Sequence, residues 1–183
     1  LTLSPGFTIA REALSGVFAA AGRLDEQVEQ LEALAALEPD RPERDVALGL
    51  AYASIGRTDM AVLALGRAAE EHPEQPLVYT ALGRVWFDIA RTTDDRIALS
   101  KSLGALQSIP RATASSEALT LLARALLLAG ELETAVAPLE LASERFPLDP
   151  SAFADLAAQE GDTLRARQLL IAHDALTAKG QLR

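Results

Sequence analysis

The sequence predicts an all-α protein built as a stack of helical hairpins, and three observations carry that prediction. Hydrophobic residues make up 49% of the 183-residue chain but aromatics only 4%. The apolar content is therefore mostly Ala and Leu, which favour helix, whereas a β protein carries more Val, Ile, Thr and aromatic side chains. Prolines at Pro39, Pro73, Pro110 and Pro147 are spaced by 34, 37 and 37 residues. Each follows a helix-like stretch, where a residue that cannot continue a helix belongs. Glycines at Gly22, Gly56, Gly130 and Gly161 mark turns, and five residues after each an apolar helical face begins, at Gln27, Ala61, Ala135 and Ala166. A fixed period of this kind marks a repeat architecture.

Taken in order, the units span 8–41, 42–75, 76–112, 116–149 and 150–180, together one repeat domain over 1–183. The first carries Leu14, Phe18, Gly22, Leu31 and Pro39, with Ser15 and Leu34 where small residues recur elsewhere. The second carries Leu48, Gly49, Tyr52, Gly56, Ala61, Leu65, Ala68 and Pro73. The third carries Tyr79, Leu82, Gly83, Trp86, Ala98, Ala105 and Pro110, with an inter-helix turn around Arg91–Arg96 that reads as three residues longer. A linker, Thr113–Ser115, leads to the fourth, with Leu119, Leu122, Ala123, Leu126, Gly130, Ala135, Leu139, Ala142 and Pro147. The fifth carries Phe153, Leu156, Ala157, Ala166 and Leu170, with a short first helix ending near Glu160 and His173 where Ala recurs elsewhere. Terminal repeats are commonly atypical because one face has no neighbour.

These residues resemble the tetratricopeptide repeat (TPR) family, whose pattern is an aromatic, Leu-Gly, Tyr, a turn Gly, Ala, an aromatic or Leu, Ala, then Pro. The resemblance covers nearly the whole chain. It implies a right-handed α-solenoid of about five helix-turn-helix hairpins, with a concave groove lined by the first helix of each unit. The physics agrees: Gly49, Gly83, Ala61 and Ala68 let helices approach closely, while Leu48 with Tyr52 and Leu122 with Leu126 fill the holes between hairpins. Asp or Glu after a turn glycine is expected to cap the next helix or meet its positive end.

Charge and composition exclude several functions. The net charge is −9, and no run of three basic residues seeds a nucleic-acid site. Without cysteine there is no disulfide and no thiolate chemistry. The most apolar stretch, Ala118–Gly130, contains Arg124 and is too short to span a bilayer. Compartment stays open between cytoplasm and periplasm, and Ala/Leu/Arg-rich usage suggests a bacterial source. Leu1 in place of an initiating Met reads as a fragment, a processed chain or a trimmed one.

A catalytic reading finds no convergent set of groups. His72 sits at a helix end before Pro73, where a cation is favourable, and His173 is a packed or partly exposed helix residue. Neither has a second His at ligand spacing. Asp94-Asp95 and Glu70-Glu71 are adjacent, so their side chains diverge on a helix. No Gly-rich phosphate loop is present. The expectation is a non-enzyme with no metal and no cofactor.

The resemblance places groove residues at fixed positions of each first helix. These are Leu50 and Ala53 in the second unit, then Leu77, Thr80, Arg84, Phe87 and Asp88 in the third. The fourth supplies Glu117, Thr120, Arg124, Leu127 and Leu128. Arg84 and Arg124 hold the same position in consecutive units and are expected as neighbours on one wall. With Trp86 buried between hairpins, Phe87 is expected to face the groove or its edge. The bland account packs Phe87 against the long turn and pairs both arginines with acidic neighbours such as Asp88. Some family members grip a C-terminal carboxylate with Lys and Asn. The corresponding positions here carry Glu12, Gly16, Ala47, Leu77 and Ala81, which argues against that ligand. The partner expected is a protein or peptide, an apolar segment bearing an acidic residue. Leu1, Leu3 and Phe7 at one end and Leu169, Leu170 and Ile171 at the other suggest exposed stacking faces that continue into missing sequence or self-associate through the terminal repeats. The leading function is a scaffold or adaptor. The alternative is a regulatory or targeting module of a larger enzyme or secretion or assembly protein. Small-molecule sensing is weaker, for want of a clustered polar set.

Overall fold

Helix boundaries fall where the sequence punctuates them. Pro42 and Pro76 open α3 (Pro42–Ser54) and α5 (Pro76–Thr93) in the first turn, where a missing N–H costs no hydrogen bond. The computed structural model describes residues 5–131 together with residues 134, 135, 137, 138 and 141. The remaining helices are α1 (Pro5–Ala20), α2 (Leu24–Leu37), α4 (Thr58–Glu71), α6 (Arg96–Gln107) and α7 (Ser116–Ala129). No strand occurs among the described residues. Residues Leu1–Trp86 and Phe87–Arg183 form two compact units, the division falling inside α5. Within the first, α1 packs on α2, α2 on α3, and α3 on α4; within the second, α6 packs on α7. The chain is an all-α helical repeat. The expected fifth unit, with Gly161 and His173, lies outside the described residues, as does Pro147.

The turn glycines behave as expected. Gly22, Gly56 and Gly130 adopt φ of 70°, 76° and 85°, which residues with a Cβ rarely enter. The amides of Gln27, Ala61 and Ala135 then bond the carbonyls of Arg23, Arg57 and Glu131, starting each next helix at the same offset. Capping follows a different rule from the one expected. Arg23 and Arg57 hold the N-cap positions of α2 and α4 with no side-chain cap; Asp25, Glu26 and Asp59 lie in the field of the helix end, and Asp25 and Glu26 also accept from Arg57 and Arg23. Side-chain caps come from Asp95, which accepts from the Ile97 amide at 2.7 Å, and from Ser115, which accepts from the Ala118 amide at 3.1 Å.

The long turn of the third unit is corrected. The extra residues extend α5 to 18 residues, and only Asp94 and Asp95 separate it from α6. Asp94 takes φ 55° and so stands in for the missing turn glycine, a conformation Asp tolerates better than most side chains. The hydroxyls of Thr92 and Thr93 donate back to the Ile89 carbonyl, occupying an acceptor of the last turn.

The core is built of small residues and Leu. A Cβ added at Gly49 would lie 2.5 Å from Leu65 Cγ, so glycine there sets how closely α3 meets α4. Ala61, Leu65, Ala68 and Leu34 have no exposed surface. A second correction concerns Trp86 and Phe87. Phe87 is only 3% exposed, whereas Trp86 is half-buried. At roughly 100° per residue, Val78, Ala81 and Val85 lie on one side of α5, and Thr80, Phe87 and Ala90 lie opposite. All six are buried. The helix is therefore buried on two opposite sides, and Trp86 falls between them. A reading that grants a helix one apolar face puts these neighbours the wrong way round.

Candidate functional site

Two buried sides leave a narrow edge of α5 open, and Leu77, Arg84 and Asp88 lie along it. Leu77 is 47% exposed, Asp88 is exposed and Arg84 is half-buried. Thr80 does not join them: it is buried, and its hydroxyl donates to the Pro76 carbonyl at 2.8 Å. The same division recurs in α7. Glu117 and Leu128 are exposed, and Thr120 and Arg124 are half-buried, on one edge. Leu127, expected in the groove, is buried. Thr120 donates to the Ser116 carbonyl as Thr80 does to Pro76, so the two first helices share a local design. Phe87 and Leu127 hold equivalent positions and are both core, because that position lies on the second buried side. In α3, Leu50 and Ala53 are half-buried.

Within the second compact unit the structure joins two of the expected residues. The Arg124 guanidinium lies 5.3 Å from the centroid of the Phe87 ring, a cation–π geometry that covers the aromatic. Asp88 is 4.0 Å from Arg91 on its own helix. Leu128 lines an open cleft of about 290 Å³ with Ala90, Leu99 and Leu103, bordered by Asp94, Asp95 and Arg96. This cleft had no signal in the repeat register, since the lengthened α5 shapes its rim. Arg84 belongs to the first compact unit and Arg124 to the second.

The first unit also contains charged residues that sequence reasoning passed over. Arg44 is buried, and its Nε donates to Glu38 at 2.6 Å while its Nη2 donates to Glu12 at 3.3 Å. The Arg44 hydrogen bond, then its charge, holds the Glu12 carboxyl below the usual carboxylate range. Asp45, 2% exposed, accepts from Arg67 at 2.9 Å. The Tyr52 hydroxyl donates to Glu32 at 2.6 Å, and burial, then that bond, pushes it up to about 12. The available signal was an adjacent Arg-Asp at the start of an Ala-rich helix. The repeat pattern constrains only the apolar positions and is silent there.

Among the described residues no group of three or more His, Asp or Glu side chains is placed to hold a metal ion. No described helix is long and apolar enough to cross a membrane. His72 is half-buried at the C-cap of α4, its amide bonded to the Ala68 carbonyl.

No family model matches the chain, and no curated protein matches it. Solved structures do. The thermophilic TPR protein TTC0263 of Thermus thermophilus superimposes with a TM-score of 0.71 at 20% identity, covering 93% of this chain and 90% of that one. MamA from Desulfovibrio magneticus RS-1 (residues 41 to the end) gives 0.68 at 20% identity, covering 96% and 94%. The TPR-like repeats of a putative kinesin light chain from Podospora anserina give 0.64 at 21% identity, covering 97% and 98%. The chain has the tetratricopeptide-repeat fold, an all-α helical repeat.

Proposed function

We propose that the chain is a non-catalytic scaffold whose first helices bind a segment of another protein along their open edges. The observation that carries this reading is the mixed character of those edges. Leu77 and Leu128 are the only large apolar side chains exposed on α5 and α7, and each shares its edge with an arginine, Arg84 or Arg124. An apolar anchor beside a guanidinium suits an apolar segment carrying an acidic residue, because Arg is a frequent hot-spot residue. Its five donors let it serve the fold and a ligand at once. Phe87, being core, supports the edge from beneath through Arg124.

The test compares the full chain with two double variants, Leu77→Glu with Leu128→Glu and Arg84→Glu with Arg124→Glu. Each is immobilised against lysate after circular dichroism shows equal helicity. The reading expects a protein retained by the wild type and lost by both variants. Equal retention by all three would sink it and move the contact away from these edges.

A further inference from the structure

The cleft beside Leu128 lies where the third unit departs from the repeat. Helix α5 runs for 18 residues against 14 in α7, about 6 Å of extra helix at 1.5 Å per residue. The space between that extension and the end of α7 has a floor of Ala90, Leu99, Leu103 and Leu128 and a rim of Asp94, Asp95 and Arg96. Its volume of about 290 Å³ falls just below the roughly 300–1,000 Å³ of small-molecule sites, so it suits one large side chain rather than a whole ligand. All of these residues belong to the second compact unit.

The charge around the cleft has a sign. Helices α5 and α7 both end beside it, at Thr93 and Ala129, and a helix C-terminus carries a partial negative charge of roughly half a unit. Asp94 and Asp95 add two carboxylates, set against one guanidinium, Arg96, and the positive N-terminus of α6. The balance is negative. Asp95 is occupied as the N-cap of α6, where it accepts from the Ile97 amide at 2.7 Å. Asp94 is exposed, and among the described residues nothing pairs with its carboxylate. It is also an unfavourable residue for its backbone. Its φ of 55° is the conformation that Gly22, Gly56 and Gly130 supply at the other turns, and a Cβ disfavours it. Aspartate here gives up backbone ease and places a carboxylate at the rim of an apolar floor.

We propose that this cleft takes an apolar side chain of the partner segment with a lysine or arginine directly beside it. The apolar group packs on Leu99, Leu103 and Leu128, and the cation meets Asp94 and the two helix ends. This rests on the reading that a protein segment docks along the edge of α7, and it adds the chemistry recognised where that edge stops. Arg124 precedes Leu128 by four residues, about 6 Å along the helix. A segment that meets Arg124 with an acid therefore reaches the cleft one turn later. Its order along α7 is acidic, apolar, basic.

Three capped tetrapeptides separate these requirements: acetyl-Ala-Leu-Lys-Ala-amide, its Leu-Gln counterpart and its Ala-Lys counterpart. Each is titrated at low salt into the full chain with labelled leucine methyl groups, followed by NMR. The Leu-Lys peptide is expected to shift the methyls of Leu99, Leu103 and Leu128 saturably. The Leu-Gln peptide should bind roughly threefold more weakly, the size of one exposed charge contact. The Ala-Lys peptide should leave those methyls unshifted. Asp94→Gly with Asp95→Asn removes both carboxylates while Gly relieves the turn and Asn still caps α6, so the fold is kept. In that variant the Leu-Lys peptide should lose its advantage over the Leu-Gln one. Equal binding of these two by the wild type, or no methyl shift at the solubility limit of the Leu-Lys peptide, would overturn the proposal. Equal shifts from the Ala-Lys peptide would overturn the apolar anchor. The peptides contain no acid and make no demand on Arg84 or Arg124. Failure of docking along the edges, read from partner retention by the Arg84 and Arg124 variants, therefore shows separately from failure of the cleft, read from these methyl shifts.

Discussion

A single missing methyl sets the distance between α3 and α4. The space a Cβ needs at Gly49 is filled by the Leu65 side chain, itself without exposed surface, so there is nowhere for Leu65 to move freely. Gly49→Ala is expected to lower stability by about 1–3 kcal/mol through overpacking. Gly66→Ala on α4, where the added Cβ meets nothing within 4 Å, is expected to raise it by roughly 0.5–1 kcal/mol. Urea unfolding followed by circular dichroism checks both, and equal effects would refute the packing account. Tyr52 gives a second residue-level test. Its folded pKa of about 12 lies above the ordinary 10.0, so the neutral phenol favours the folded state. That contribution is fully present below pH 10 and is lost as pH rises through about 12. The urea midpoint of the wild type should fall across that window, and Tyr52→Phe, which has no proton to lose there, should flatten the fall.

At the scale of elements, hairpins are clipped together by charge as well as by apolar packing. Arg44 on α3 reaches Glu38 at the end of α2 and Glu12 on α1, linking the first hairpin to the second. Arg44→Met keeps the apolar stem but leaves Glu38, which is partly buried, with only the longer 3.6 Å ion pair to Arg41. A cost of about 2 kcal/mol at neutral pH is expected. The Glu12 pKa is lowered in the folded state, so its share of stability is present above its unfolded value of 4.5 and disappears as pH falls through the folded one. Glu12 is largely solvated, which keeps that share small. The wild-type urea midpoint should therefore decline more steeply below pH 5 than that of Arg44→Met, and parallel curves would count against the clip. None of this was legible beforehand. Proline spacing and turn glycines locate helices because backbone conformation is local. The partner of a buried guanidinium lies 32 residues away in the case of Glu12, and apolar periodicity says nothing about it. Phe87 was misread for a related reason: its burial depends on a second packed side of α5 and on cover from Arg124. The longer third unit was visible as a count of residues, but whether they entered the turn or the helix was settled by Asp94 accepting a positive φ.

For the whole molecule, repeat construction makes stability a sum of local terms and nearest-neighbour terms. The recurrent pattern that revealed the fold in the sequence is the footprint of that construction, because each unit repeats the same contacts. It also limits how far damage spreads. Leu65→Ala removes a fully buried side chain from the α3–α4 hairpin and is expected to cost about 2–5 kcal/mol there. In a globular domain with one cooperative core, such a loss lowers protection by the same amount at every amide that exchanges only through global unfolding. In this chain the loss should concentrate in α4 and α3 and extend to α2, with α7 much less affected, since α3 packs on α4, α2 packs on α3, and α7 belongs to the other compact unit. Hydrogen exchange read by mass spectrometry resolves the segments separately. A uniform loss from α1 through α7 would show that the units unfold as one body and that nearest-neighbour coupling does not govern this chain. A graded loss would mean that binding along the edges of one unit leaves the stability of the other largely unchanged.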